Sequence, residues 1–196
     1  MKPEEKIVTM SGISKRLFVA LSNFRADPPQ LEDALFQLAS VIDSTSKYHY
    51  PDERSSKKRF VLYLNAISRN IFNIATTGNM ILVDCTFMAR DGSQKSFGDI
   101  VYGIRCSSYH DPNEVDDLIH WGENRSFGTK EGKFIVNGAL LMALFLVLIS
   151  DEANKHHIDV DLFDDDHYLI VKDRHIPFNI FVGNRDEIFT ALGLPK

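Results

Sequence analysis

The stretch Ser96-Phe97-Gly98-Asp99-Ile100-Val101-Tyr102-Gly103-Ile104-Arg105-Cys106-Ser107-Ser108-Tyr109-His110 decides how the chain is read. Ser96 followed three residues later by Asp99 is a pattern in which two side chains satisfy each other's free amides at a helix start. Phe97, Ile100, Val101 and Ile104 then recur at helical spacing and give the predicted helix one apolar stripe. Pro112 disfavours helical geometry in the residue before it and lacks an amide, so the helix is expected to run to about His110. Arg105 and His110 therefore fall in its last turns. At about 100° per residue their side chains diverge by roughly 140° around the axis, so one helix presents both to a common ligand only where a cleft wraps it. A second copy of the helix would supply such a cleft.

On the N-terminal side, Asp27-Pro28-Pro29 reads as a helix start, with Asp27 as the cap and proline tolerated in the first turn. Leu31, Leu35, Leu38 and Ile42 carry the apolar face of that helix, which ends near residues 48–51. A longer helix opens at Ser55-Ser56, runs through Phe60, Leu64, Ile67, Ile71 and Ile74, and stops at Gly78. Residues 79–89 alternate and run apolar at once, so period alone does not separate strand from helix there. Asp91-Gly92-Ser93 marks a turn.

On the C-terminal side, residues 118–121 and 133–136 read as two short strands of a hairpin joined by 122–132. Asn137 caps a helix in which Leu140, Leu141, Leu144, Phe145, Leu148 and Ile149 surround the axis, so it belongs in the middle of a core. Residues 168–171 and 176–182 flank Lys172-Asp173-Arg174-His175 as a second hairpin, with Pro177 marking an edge strand. The expectation is a mainly α single domain over residues 1–196. It comprises a helical bundle core at about 28–155, one or two added β-hairpins, and a C-terminal hairpin extension at about 156–196.

A chain of 196 residues suits one sizeable core. Its formal net charge of -5 lacks the basic field of an extended nucleic-acid footprint, although a catalytic pair acting on one phosphate needs only a few positive groups. Cys85 and Cys106 are too few for a disulfide framework and lack paired metal-ligand spacing, which points to a reducing compartment. Residues 1–11 are charged and polar where a secretory leader needs an apolar centre. The longest apolar run, 139–149, is shorter than the roughly 20 residues a bilayer requires. A cytoplasmic protein with no membrane attachment is the expectation.

The segment ending in Arg105 and His110 resembles the helix that carries the signature of the HEPN superfamily (higher eukaryotes and prokaryotes nucleotide-binding): an arginine, a short spacer and a histidine. Upstream, residues 34–43, Tyr48-His49-Tyr50-Pro51 and Lys57-Lys58-Arg59-Phe60 resemble the first helix, tyrosine-proline turn and second helix of such domains. Downstream, Ile135-Val136-Asn137 ahead of an apolar helix also fits, so the likeness covers about 31–154. Cys106 departs from the family pattern, in which a polar residue, often asparagine, directly follows the arginine.

The resemblance implies a HEPN-like helical bundle and a metal-independent endoribonuclease of the toxin or antiviral-defence kind, with no cofactor, no metal, and Arg105 and His110 as catalytic residues. The implied reaction is attack of a ribose 2′-OH on the adjacent phosphate, leaving a cyclic phosphate and a 5′-hydroxyl. Imidazole titrates near neutrality and suits a general base; a guanidinium is always ionised and offers a planar fork to two phosphate oxygens. The implied partners are RNA, a second copy bound through the helix carrying Arg105 and His110, and a neutralising antitoxin-type protein. The alternative is a noncatalytic helical dimer that binds RNA, a nucleotide or a protein partner.

Other residues invite chemistry less. His156, His157, Asp159, Asp161, Asp164, Asp165, Asp166 and His167 suggest metal binding, but the stretch lacks the glycine and closing glutamate of a calcium loop and reads as a solvated, mobile loop. Cys106 reads as a small packed thiol, and Trp121, near His120 and Arg125, as a packed hairpin residue rather than a base-stacking one. Lys57, Lys58 and Arg59 lie at the helix end that disfavours positive charge, and read as a solvated face rather than a phosphate-facing patch.

Overall fold

The computed structural model describes residues 11–79, 86–88, 92–110, 118–123, 127–164 and 166–195, without the side chains of 107–110. The fold is mainly helical with small β-hairpins, and it divides into two compact units, Met1–Val41 with Phe145–Lys196, and Ile42–Leu144. Among the described residues no helix is long and apolar enough to cross a membrane.

Helix α1 (Gly12–Arg25) opens at Ser11, whose hydroxyl accepts the Ser14 amide at 3.2 Å, and it buries Ile13, Leu17, Ala20 and Leu21. Helix α2 (Leu31–His49) begins later than an Asp27 cap would place it, because a proline keeps the residue before it extended and Pro28 precedes Pro29. Glu32 and Asp33 fill its first turn, where carboxylates suit the helix dipole. Helix α3 (Ser56–Ala75) is capped by the Ser55 hydroxyl on the Lys58 amide. It ends at Ala75, and the chain turns away through Thr77 and Gly78, at φ of 52° and 82°, with the Gly78 amide donating to the Asn73 carbonyl at 2.9 Å.

After strands β1 (Thr86–Met88) and β2 (Gln94–Ser96), which pair antiparallel, comes helix α4 (Phe97–His110). Residues 80–85 and 89–91, which hold most of the ambiguous stretch and Cys85, lie outside the described residues. The expected capping pair forms: the Asp99 amide donates to the Ser96 hydroxyl at 3.1 Å, and the Ser96 amide to Asp99 Oδ2 at 3.4 Å.

Helices α3 and α4 cross antiparallel and closely. A side chain at Gly98 would stand 2.7 Å from the Val61 carbonyl and 2.9 Å from Asn65 Oδ1, the atom that accepts the Gly98 amide at 3.0 Å. Edge-on ring pairs close both ends of the crossing, Phe72 on Phe97 at 5.2 Å and Phe60 on Tyr102 at 5.4 Å.

Strand β3 (Ile119–Trp121) pairs with β5 (Lys133–Val136) in parallel, which corrects the expected hairpin. The hairpin partner of β5 is β4 (Thr129–Lys130), joined through Glu131 and Gly132 with φ of 55° and 76°. That tight turn takes the antiparallel edge of β5 and leaves β3 the other edge. Asn137, fully buried, caps helix α5 (Gly138–Ile149) by accepting the Leu140 amide at 2.9 Å. Leu140, Leu141 and every residue from Ala143 to Ile149 are buried, so α5 is enclosed on all sides as its composition requires.

In the unit that holds the C-terminal residues, Phe145 packs against Phe163 at 6.2 Å and Phe178 at 5.3 Å, and Phe178 against Phe181 at 6.4 Å. The stretch expected to be a mobile loop folds instead as two 3-10 turns, Glu152–His157 and Val160–Phe163. Ile158, Leu162 and Phe163 are buried there and anchor the acidic residues around them. Strands β6 (Tyr168–Val171) and β7 (Arg174–Pro177) form the second hairpin, but its loop is only Lys172-Asp173, both at positive φ. Arg174 and His175 therefore belong to the strand, and Phe178–Phe181 leaves it as a 3-10 turn. Helix α6 (Arg185–Leu192) follows and stops at Gly193.

Candidate functional site

The buried stripe of α4, Phe97, Ile100, Val101 and Ile104, fixes which residues face outward, and Tyr102, Arg105 and Cys106 are left half-buried. Because α3 runs antiparallel, its first turns lie beside the last turns of α4. Arg105 meets Asp43, Phe60 and Tyr102. Its Nη2 meets Asp43 Oδ2 of α2 at 3.4 Å, and its guanidinium carbon lies 5.7 Å from the Phe60 ring centre and 5.8 Å from that of Tyr102. Cation–ring contacts at this distance are worth about 0.5–1 kcal/mol each in half-exposed surroundings.

Two lysines complete the cluster. Lys57 Nζ lies 5.9 Å from the Tyr102 ring centre, and Lys47 Nζ reaches the Asp43 oxygen that Arg105 also uses, at 3.6 Å. The second oxygen of Asp43 is buried and accepts no hydrogen bond. Burial pushes the Tyr102 phenol above its ordinary range, helped by its hydrogen bond with Cys106, while Ser56 and the Arg105 charge pull it back. The phenol is therefore a neutral hydroxyl near pH 7.

The basic triplet at the start of α3 splits. Lys57 joins the Arg105 cluster, whereas Lys58 Nζ pairs with the Glu53 carboxylate at 2.6 Å and Arg59 Nη1 donates to the Glu53 carbonyl at 2.6 Å. Lys58, together with the Ser55 amide that donates to it, holds the Glu53 carboxyl below its usual range. The His49 ring stacks on Tyr63 at 5.0 Å.

His110 closes α4, so the helix carrying Arg105 and His110 is continuous and the angular divergence expected between them holds for its backbone. The His110 side chain, like those of Ser107, Ser108 and Tyr109, lies outside the described residues. Trp121 is half-buried on β3, its neighbour His120 lies 3.4 Å from Lys130 Nζ, and Arg125 lies outside the described residues. Sequence reasoning missed Asp43, Lys47 and Tyr102. The signals were present: Asp43 and Lys47 stand one turn apart, and Tyr102 lies three residues before Arg105, the spacing of neighbours on one helix face.

A fork of donors resting on two aromatic faces, with two lysines nearby and the Asp43 carboxylate paired to it, can take an anionic oxygen pair in exchange for that carboxylate. No family model matches the chain, and neither a curated protein nor a solved structure matches it.

Proposed function

We propose that the end of α4 is an RNA-cleaving site and that the chain is a metal-independent endoribonuclease of the toxin or antiviral-defence type, built on a HEPN-like bundle. The observation that carries this reading is Arg105, half-buried over Phe60 and Tyr102, with Lys57 at hand. The half-buried Tyr102 ring beside cations suits a nucleotide, whose base has a face and whose phosphate has a charge.

In the reaction, His110 takes the proton of a ribose 2′-OH as the O2′–P bond forms, and Arg105 stabilises the charge gathering on the phosphorane oxygens. The P–O5′ bond then breaks, and a second His110 protonates the leaving oxygen. Since Arg105 and His110 diverge on one helix, the site is assembled between two copies joined through α4. RNA is the substrate, a neutralising antitoxin-type protein is the fitting regulator, and the cytoplasm is the fitting compartment.

One observation favours the second reading, a noncatalytic helical dimer that binds RNA, a nucleotide or a protein partner: Arg105 is already paired with Asp43 within its own chain. Labelled RNA incubated in chelator with the wild type and with His110→Ala, followed by analysis of fragment ends, separates the two. Cyclic phosphate ends from the wild type, falling by at least about 10²-fold in the variant, are expected. Binding without any cleavage across varied RNAs would put the second reading in its place.

A further inference from the structure

We propose that Asp43 is a positioning residue that stores Arg105 and hands it to an incoming RNA phosphate, while Lys47 takes over the vacated carboxylate. This rests on the reading of α4 as an RNA-cleaving site. The geometry that points to it is an unequal use of the two carboxylate oxygens. Oδ2 is shared between Arg105 Nη2 at 3.4 Å and Lys47 Nζ at 3.6 Å, while Oδ1 is buried and accepts no hydrogen bond. Both ion pairs are longer than the roughly 2.7–2.9 Å of a well-formed charge-assisted bond, so neither cation has closed on the oxygen.

Arg105 leaving alone would strand a carboxylate whose side chain is only 18% exposed, and an unpaired charge at that depth is costly. Lys47 removes that cost. It sits one turn along the same helix, its side chain is 55% exposed and free to move, and it already stands within reach of the same oxygen. Phe60 and Tyr102 keep the guanidinium over their rings while its ionic partner changes, so the exchange needs a short swing rather than a new rotamer path. Asp43 thus acts through Arg105 and is not itself a catalytic residue. It competes with substrate in the ground state and aims the fork for the transition state.

The test uses the full-length chain with two probes: ordinary RNA, to obtain kcat and KM, and a fully 2′-O-methylated oligoribonucleotide, which cannot be cut, to obtain affinity. Asp43→Asn is expected to bind the uncut probe about three- to tenfold more tightly and to lower both KM and kcat, a split that a merely structural role would not produce. Asp43→Glu should recover part of kcat.

Lys47→Met, on an exposed position that does not threaten folding, should weaken binding in the wild-type background and have no effect in the Asp43→Asn background. Equal weakening in both backgrounds would mean that Lys47 touches RNA directly, and the hand-off would be wrong. If Arg105→Ala abolishes cleavage while Asp43→Asn keeps the wild-type kcat and KM, the hand-off fails and the nuclease reading stands. A wild type that neither cuts nor binds RNA overturns both.

Discussion

Arg105 meets Asp43 at 3.4 Å and Arg185 meets Asp151 at 3.3 Å, and the two carboxylates differ in what else they hold. Asp151 is 2% exposed, its Oδ1 accepts the Ala153 amide at 3.0 Å, and its backbone carbonyl accepts the Asn154 amide at 2.9 Å. It caps a 3-10 turn and ties that turn to the start of α6, so its oxygens are committed to the fold. Asp43 spends one oxygen on two cations and leaves the other buried without a hydrogen bond. Distance alone therefore does not say what an ion pair is for. The second oxygen does: where it is bonded the pair is structural, and where it is not the pair is able to exchange.

The largest effect expected from this contrast is on stability. Asp151→Ala removes a turn cap and leaves Arg185 facing a vacated pocket. It should cost about 2–3 kcal/mol by chemical denaturation, at or just below the roughly 3–5 kcal/mol of breaking a fully buried pair because the arginine is 31% exposed. Asp43→Asn, measured in the same way, should cost less than about 1 kcal/mol. Similar losses for the two would erase the distinction.

Gly98→Ala sharpens the contrast from the backbone. The added carbon meets the Val61 carbonyl, so α4 must shift against α3, at about 1–3 kcal/mol. Arg105 would move with it, and RNA binding should fall along with stability, whereas Asp151→Ala should lower stability and leave the affinity of the folded protein intact.

The smallest effect concerns Glu53, a half-buried carboxylate just ahead of α3. Its folded pKa lies below the ordinary 4.5, so the stability it lends through Lys58 is present above the unfolded value and is lost as pH falls through the folded one. Glu53→Gln should melt slightly below wild type at pH 7, and the two should converge in acid. A gap that persists at low pH would assign the loss to packing instead.

Much of this was legible in the chain, and the reasons are particular. The caps at Ser55, Ser96 and Asn137 and the stop at Gly78 were readable because each rests on a local hydrogen bond or a single φ angle. Helices α1 and α6 went unread. Ile13, Leu17, Ala20 and Leu21 make a short stripe diluted by polar neighbours, and α6 is eight residues long. The parallel pairing of β3 with β5 was out of reach, because two strands of three and four residues do not encode which edge each will take. At the site, Arg105 stood out as a motif residue. Its aspartate lies sixty-two residues earlier in the chain, and only folding brings that charge beside it.

The most direct test of the central claim follows the two arginines at once. The guanidinium Nε–H signals of Arg105 and Arg185, assigned by single substitutions in nitrogen-15-labelled protein, would be recorded while the 2′-O-methylated oligoribonucleotide is added. The Arg105 signal is expected to move in step with binding while the Arg185 signal stays in place. An Arg105 signal that does not move while RNA binds would show that Asp43 keeps its arginine and that the end of α4 is not the RNA site.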